Sequence, residues 1–129
     1  MSQFNKVKSH LENNGVKVEI TTDTNYTHPT QTINIHHRYN MEVNGLYALL
    51  HEAGHWLQND DISYTQNLKN QFYRSIDNDT KTSMIMFIHE LDAWNRGEQL
   101  AEDLNIKIDK KLFEKSKQEA LLTYYVSDI

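Results

Sequence analysis

His51-Glu52-Ala53-Gly54-His55 sets two imidazoles four residues apart, with a carboxylate next to the first. On a helix, positions i and i+4 leave the same face one turn apart, so His51 and His55 can share one Zn²⁺ at about 2.0–2.1 Å. Glu52 then flanks the metal as a general base, able to take a proton from a zinc-activated water and pass it to a leaving group. A shuffled chain of this composition would carry the pattern about 0.03 times. Five residues alone therefore do not decide the matter, and their surroundings must.

Those surroundings are helical. Leu46, Leu49, Leu50, Ala53, Trp56 and Leu57 recur at helical spacing, forming a stripe centred near Leu50 and Ala53 at about 100° per residue. His51 and His55 fall on the opposite side, with Glu52 beside them. This predicts a helix over 43–58, with Asn40 as its N-cap and Gly54 leaving room for a close neighbour. A surface helix with two exposed histidines and a solvated glutamate is the plain alternative.

A third metal ligand must come from elsewhere in the chain. A second long helix is expected over 81–104, and its Met84-Ile85-Met86-Phe87-Ile88 run is apolar on every side, which predicts a segment buried in the domain centre. Glu90 follows directly. A carboxylate there is tolerated chiefly when paired or metal-bound, which makes Glu90 the expected third zinc ligand. His89 and Asp92 project about 100° and about 200° away from Glu90, so one of the three is expected to face the metal. Ala93, Gly97 and Ala101 make a small-residue stripe that would let this helix lie close against the His51 helix.

The elements that must hold these two helices are legible from periodicity. Phe4, Val7 and Leu11 predict a short helix over 2–14, closed by Asn13-Asn14-Gly15. Alternating residues predict strands over 16–21 and 31–37, joined by a turn-rich connection that contains Pro29. His36 and His37 should point to opposite faces of the second strand, one at the surface and one packed. The same strand, lying beside the cleft, is a candidate for docking an extended peptide along an unpaired edge. A further helix over 63–76 carries Tyr64, Leu68, Phe72, Tyr73 and Ile76. Asp109 should cap a last helix from 110 to about 125, with Leu112, Phe113, Leu121, Leu122 and Tyr125 as its core stripe. The fold class is α+β, mostly helical, a single domain over 1–129 with a small β-sheet packed on the His51 helix.

Composition narrows the function classes. The 129 residues include no cysteine, so a metal site has only His and carboxylate ligands, and nothing speaks against a reducing, cytoplasmic location. The net charge is −5 and no basic block stands out, which argues against a nucleic-acid partner. No stretch approaches about 18 apolar residues and the N-terminus has no apolar leader, so neither a membrane span nor secretion is expected.

Taken together, His51-Glu52-Ala53-Gly54-His55 and Glu90-Leu91-Asp92-Ala93 resemble the two motifs of gluzincin-type zinc metallopeptidases, the second being similar to that family's E-x-x-A helix. The continuation Trp94 to Ala101 is similar to minimal single-domain zincins of bacteria and phages, among them repressor-cleaving ones. The resemblance implies a zinc-dependent metallopeptidase acting on a peptide or protein substrate, with Zn²⁺ on His51, His55 and Glu90, and with Glu52 as catalytic base. It also implies the alternative of a zincin-like regulatory module that keeps zinc and sequesters a protein partner. Larger members carry an Asp four residues after the third ligand to orient a ligand histidine; here that position is Trp94. Asp92 or a backbone carbonyl would have to take over that task. Tyr39, Tyr124 and Tyr125 are the candidates for the family's oxyanion-stabilising residue.

Overall fold

The computed structural model describes residues 2–75 and 78–126. It contains five helices and a small mixed sheet: α1 (Gln3–Asn13), β1 (Lys17–Thr21), β2 (Asn25–Thr27), β3 (Thr32–His36), α2 (Asn44–Asp60), α3 (Ile62–Arg74), α4 (Asp79–Asp103) and α5 (Lys110–Val126). The mostly helical α+β class expected from periodicity is the one observed.

Local chemistry sets most of the boundaries. Ser2 caps α1 by accepting a hydrogen bond from the Asn5 backbone N–H, and Asp61 and Asn78 do the same for α3 and α4. Asp109 accepts from the backbone N–H groups of Lys111 and Leu112 at the start of α5, as expected. Two helices end by one device. The N–H of Val16 donates to Leu11 O after Gly15 at φ +83°, and that of Ile106 donates to Ala101 O after Asn105 at φ +55°. In each case a left-handed residue turns the chain back over the last turn. Asn40, by contrast, does not cap α2. Its side chain accepts from Glu42 N–H in the preceding turn, and the N-cap position falls to Val43, which has no side chain able to cap.

The sheet order is β1-β3-β2, with β1 and β3 parallel and β2 antiparallel to β3. The segment expected to be only a turn-rich connection therefore contributes β2, a strand too short to show alternation. Its insertion has a functional consequence: β3 is paired on both sides and has no free edge for a peptide, while β2 occupies the border. His36 and His37 also depart from the alternation expected of them. The strand ends at His36, and their rings stack at 4.7 Å.

The core joins Phe4, Val7 and Leu11 of α1 and Val18, Ile33 and Ile35 of the sheet to Leu46, Leu49, Leu50 and Ala53 of α2. Trp94, Leu100 and Ala101 of α4 and Phe113 and Leu121 of α5 complete it. Not every expected core residue takes part. In the Met84–Ile88 run only Ile85 is buried; Met84 is 57% and Ile88 58% exposed, because among the described residues only one side of this part of α4 has neighbours to pack against. No residue of α3 is buried and Tyr73 is 76% exposed, while Ile76 lies outside the described residues. Leu112 and Leu122 are exposed, so the core stripe of α5 reduces to Phe113 and Leu121, with the Tyr125 side chain outside the described residues.

The largest interface between helices is that of α2 with α4. The two backbones touch at two points. A Cβ on Gly54 would overlap the Ala93 carbonyl oxygen, and one on Gly97 would overlap the Leu50 carbonyl oxygen. In both cases the obstacle is backbone, which cannot rotate away. Gly54→Ala and Gly97→Ala should each lower stability by about 1–3 kcal/mol through overpacking, read as a lowered midpoint in urea denaturation.

Candidate metal centre

His51, Glu52 and His55 lie on the side of α2 that faces α4, and each offers one ligand atom within 4.8 Å of the others. This group could hold a metal ion. Glu90 reaches it from α4: its Oε2 lies 2.7 Å from His55 Nε2 and 3.4 Å from His51 Nε2. The structure thus brings all four residues singled out in the sequence to one place, at the crossing enforced by Gly54 and Gly97. A cavity of about 490 Å³ opens over them, bordered by Thr24, Asn25, Tyr26 and His28 around β2 and by His89 and Tyr124.

Each ring is held by a specific contact. The imidazole of His51 stacks on the indole of Trp94 at 4.5 Å and 8° between planes. Trp94 therefore orients His51 by its flat face and not by a hydrogen bond. His55 Nδ1 lies 2.8 Å from Gln58 Oε1. The Gln58 amide nitrogen donates to the His89 carbonyl at 2.8 Å and to Asp92 Oδ2 at 2.9 Å, so its oxygen is the acceptor and His55 Nδ1 carries a hydrogen. That leaves the Nε2 lone pair of neutral His55 as the ligating one.

Gln58 is itself fixed. Asp92 Oδ2 accepts from Arg96 Nε at 2.6 Å, and Arg96 Nη2 donates to Asp61 Oδ2 at 3.2 Å, which ties the start of α3 to α4. Asp92 thus serves the site through Gln58. Tyr64 stands in the same network: its ring lies under the Arg96 guanidinium at 4.8 Å and its hydroxyl is 2.8 Å from His89 Nδ1. Burial and the nearby Asp92 carboxylate push the Tyr64 hydroxyl up to about 12, so it stays protonated. Of the three tyrosines considered from the sequence, Tyr124 alone is shown at the cluster, donating to Glu90 Oε1 at 2.8 Å. Tyr39 is 38% exposed and lines a neighbouring cavity, and the Tyr125 side chain lies outside the described residues.

Gln58, Tyr64 and Arg96 were not singled out in the sequence. The signal for Gln58 was its i+3 spacing from His55, which puts the two side chains on one helical face. Nothing local marks Tyr64 or Arg96, whose roles arise from the docking of α3.

Electrostatics sort the carboxylates into two kinds. Glu52 is 5% exposed and its Oε2 has no hydrogen-bond partner; burial raises its pKa, and the positive character of His51 and His55 only partly offsets this. Burial also pushes Glu90 upward, but hydrogen bonds from His51, His55 and Tyr124 and the charge of His55 outweigh it and hold the carboxyl far below the usual range. For His55, burial acts downward and the neighbouring Glu90 prevails, so its pKa is raised. Two imidazole nitrogens and carboxylate oxygens, with no thiolate, form a donor set suited to a divalent transition metal, zinc among them. Beside them Glu52 Oε2 is buried with no hydrogen-bond partner among the described residues. The residues could hold a metal ion.

No protein-family model matches the chain, and no curated protein or solved structure matches it. The interpretation of the centre therefore rests on its geometry and on the spacing of its residues.

Two outcomes follow for the metal centre. Replacing Gln58 with Leu frees the His55 ring and should weaken zinc binding about tenfold, measured by competition with a chromophoric chelator. The second concerns pH. Without metal, the folded state holds protons on His55 above 6.5 and on Glu52 above 4.5 that the unfolded chain releases. His55's contribution is complete below 6.5 and is lost as pH rises through its folded value, whereas that of Glu90, whose pKa is lowered from 4.5, is already complete above that value. On the contributions of His55 and Glu52, chelator-treated protein should therefore be less stable to urea at about pH 8 than at about pH 5.5, a trend that the lowered pKa of His89, pushed down by burial, opposes in part. Zinc-loaded protein should reverse the trend, because ligands bind metal in their deprotonated forms.

Proposed function

We propose that the protein is a zinc-dependent metallopeptidase, in which His51, His55 and Glu90 hold the metal and Glu52 is the general base. The supporting observation is the convergence of Glu90 Oε2 on the Nε2 atoms of both histidines, at 2.7 and 3.4 Å, from a separate helix. Both Nε2 atoms face Glu90, whereas Glu52 approaches His51 only through Nδ1, at 3.9 Å. This favours Glu90 as ligand and leaves Glu52 for proton transfer.

Zinc, when bound, supplies a Lewis acid that polarises a carbonyl and brings the pKa of water toward about 7. The chain's own residues do the rest. Glu52 accepts a proton from the attacking water and delivers it to the amide nitrogen as the peptide bond breaks. Its raised pKa suits both halves of that transfer, since it returns the proton readily. Tyr124 holds Glu90 through Oε1, leaving Oε2 toward the histidines. β2 borders the cavity and has a partner strand on one side only, so an extended peptide can add to its other side by main-chain hydrogen bonds.

A second reading, a zinc-holding module that sequesters a protein, draws on one observation. Met84 and Ile88, one turn apart on α4, and Tyr73 on α3 are exposed apolar side chains, of the kind that protein partners cover. Turnover separates the two readings. Purified without a histidine tag, the protein should contain about one zinc per chain and cleave a mixed peptide library. Glu52→Gln should keep the zinc and lose at least about a hundredfold in rate, and Glu90→Ala should lose the metal. Zinc retention with no cleavage by the unmutated protein would favour sequestration, and full cleavage by Glu52→Gln would remove Glu52 from the mechanism.

A further inference from the structure

A second cavity, of about 390 Å³, adjoins the metal centre, and Thr24 and His51 line both. It runs from His51 toward α5, so a peptide held at the centre would place a neighbouring side chain in it. We propose that this cavity is a specificity pocket for a positively charged side chain, lysine or arginine, of the substrate; the assignment rests on the metallopeptidase reading above and gives it a substrate class.

Three features carry the proposal. The walls include the aromatic side chains of Tyr39, Tyr47 and Trp94, an apolar surface on which the stem of a long basic side chain can pack. Among the described lining residues Glu119 is the one carboxylate, and none is Lys or Arg. Glu119 is exposed, and among the described residues no ion pair holds it. The lysines nearest to it on α5 leave it unpaired among the described residues: Lys115, one turn earlier, makes no ion pair with it, and Lys117 Nζ donates to Asn95 Oδ1 at 3.0 Å and sits 3.8 Å from Glu114 Oε2. An aromatic recess with one uncommitted carboxylate at its mouth matches a long aliphatic stem ending in a cation. Ser116 and Asn44 add groups able to accept hydrogen bonds from an ammonium or guanidinium. A volume of this size is at the small end of ligand pockets and ample for one side chain.

The test uses zinc-loaded Glu52→Gln protein, so that binding is read without turnover. N-acetyl-arginine amide and N-acetyl-lysine amide are titrated against N-acetyl-leucine amide, following the Trp94 indole signal by nuclear magnetic resonance. The basic derivatives should bind at least about threefold tighter than the leucine derivative. Adding Glu119→Gln should erase about threefold of that preference and Glu119→Lys about tenfold, with zinc content unchanged. Equal affinities, absence of binding, or a preference that survives Glu119→Lys would overturn the pocket. Cleavage of a peptide library by the unmutated protein without preference for basic residues would also overturn it and leave the peptidase standing. A basic preference in binding with no cleavage of any peptide would retain the cation pocket and defeat the hydrolytic reading.

Discussion

The close approach of α2 and α4 is the constraint on which the metal centre depends. Gly54 against Ala93 and Gly97 against Leu50 let two backbones meet with no side chain between them. At that separation the short Glu90 side chain reaches His51 and His55; helices spaced by ordinary core side chains stand about 8–10 Å apart. A methyl group at either glycine therefore acts on the core and on the distance between the proposed ligands at once.

Around that crossing the polar groups form a hierarchy. Glu90 is surrounded by donors from His51, His55 and Tyr124 and behaves as a fixed anion, while Glu52, one residue from His51, is buried with an oxygen left over. The difference comes from which helix each carboxylate sits on. Glu90 arrives from α4 with Oε2 against the Nε2 atoms, whereas Glu52 shares α2 with both histidines and lies 3.9 Å from His51 Nδ1. Ring orientation is divided similarly. His51 is set by stacking on Trp94, and His55 by the Gln58–Asp92–Arg96 relay that continues to Asp61 at the head of α3. The helix with no buried residue of its own thus has a structural role, since its capping aspartate and Tyr64 brace the outer side of His55's partner.

The sheet contributes by its order. A parallel β1–β3 pair buries Val18, Ile33 and Ile35 against the helices, and the three residues of β2 extend this floor to the rim of the metal cavity. Beyond His51 the floor gives way to α5, where the second cavity is walled by aromatic rings and Glu119. The cleft is therefore asymmetric, with a backbone edge on one side of the histidines and a side-chain recess on the other.

The sequence by itself determined the helices, the buried stripes of α1 and α2 and the identity of the cluster. Helical spacing puts His51, Glu52 and His55 opposite Leu50 and Ala53, and a lone carboxylate after an apolar run marks Glu90. These are periodic, local properties, carried by residues a few positions apart. Only the tertiary structure decided the rest. Three residues are too few to reveal β2 by alternation, so the sheet's edge was misplaced on β3. The apolar run Met84–Ile88 could not show that it would find neighbours on one side alone. Gln58, Tyr64 and Arg96 acquire their roles from the docking of α3 and α4, and Trp94 acquires its role from lying flat against His51. Their contacts join positions from 6 to 43 residues apart in the chain, and distance of that kind leaves no periodic mark in a sequence.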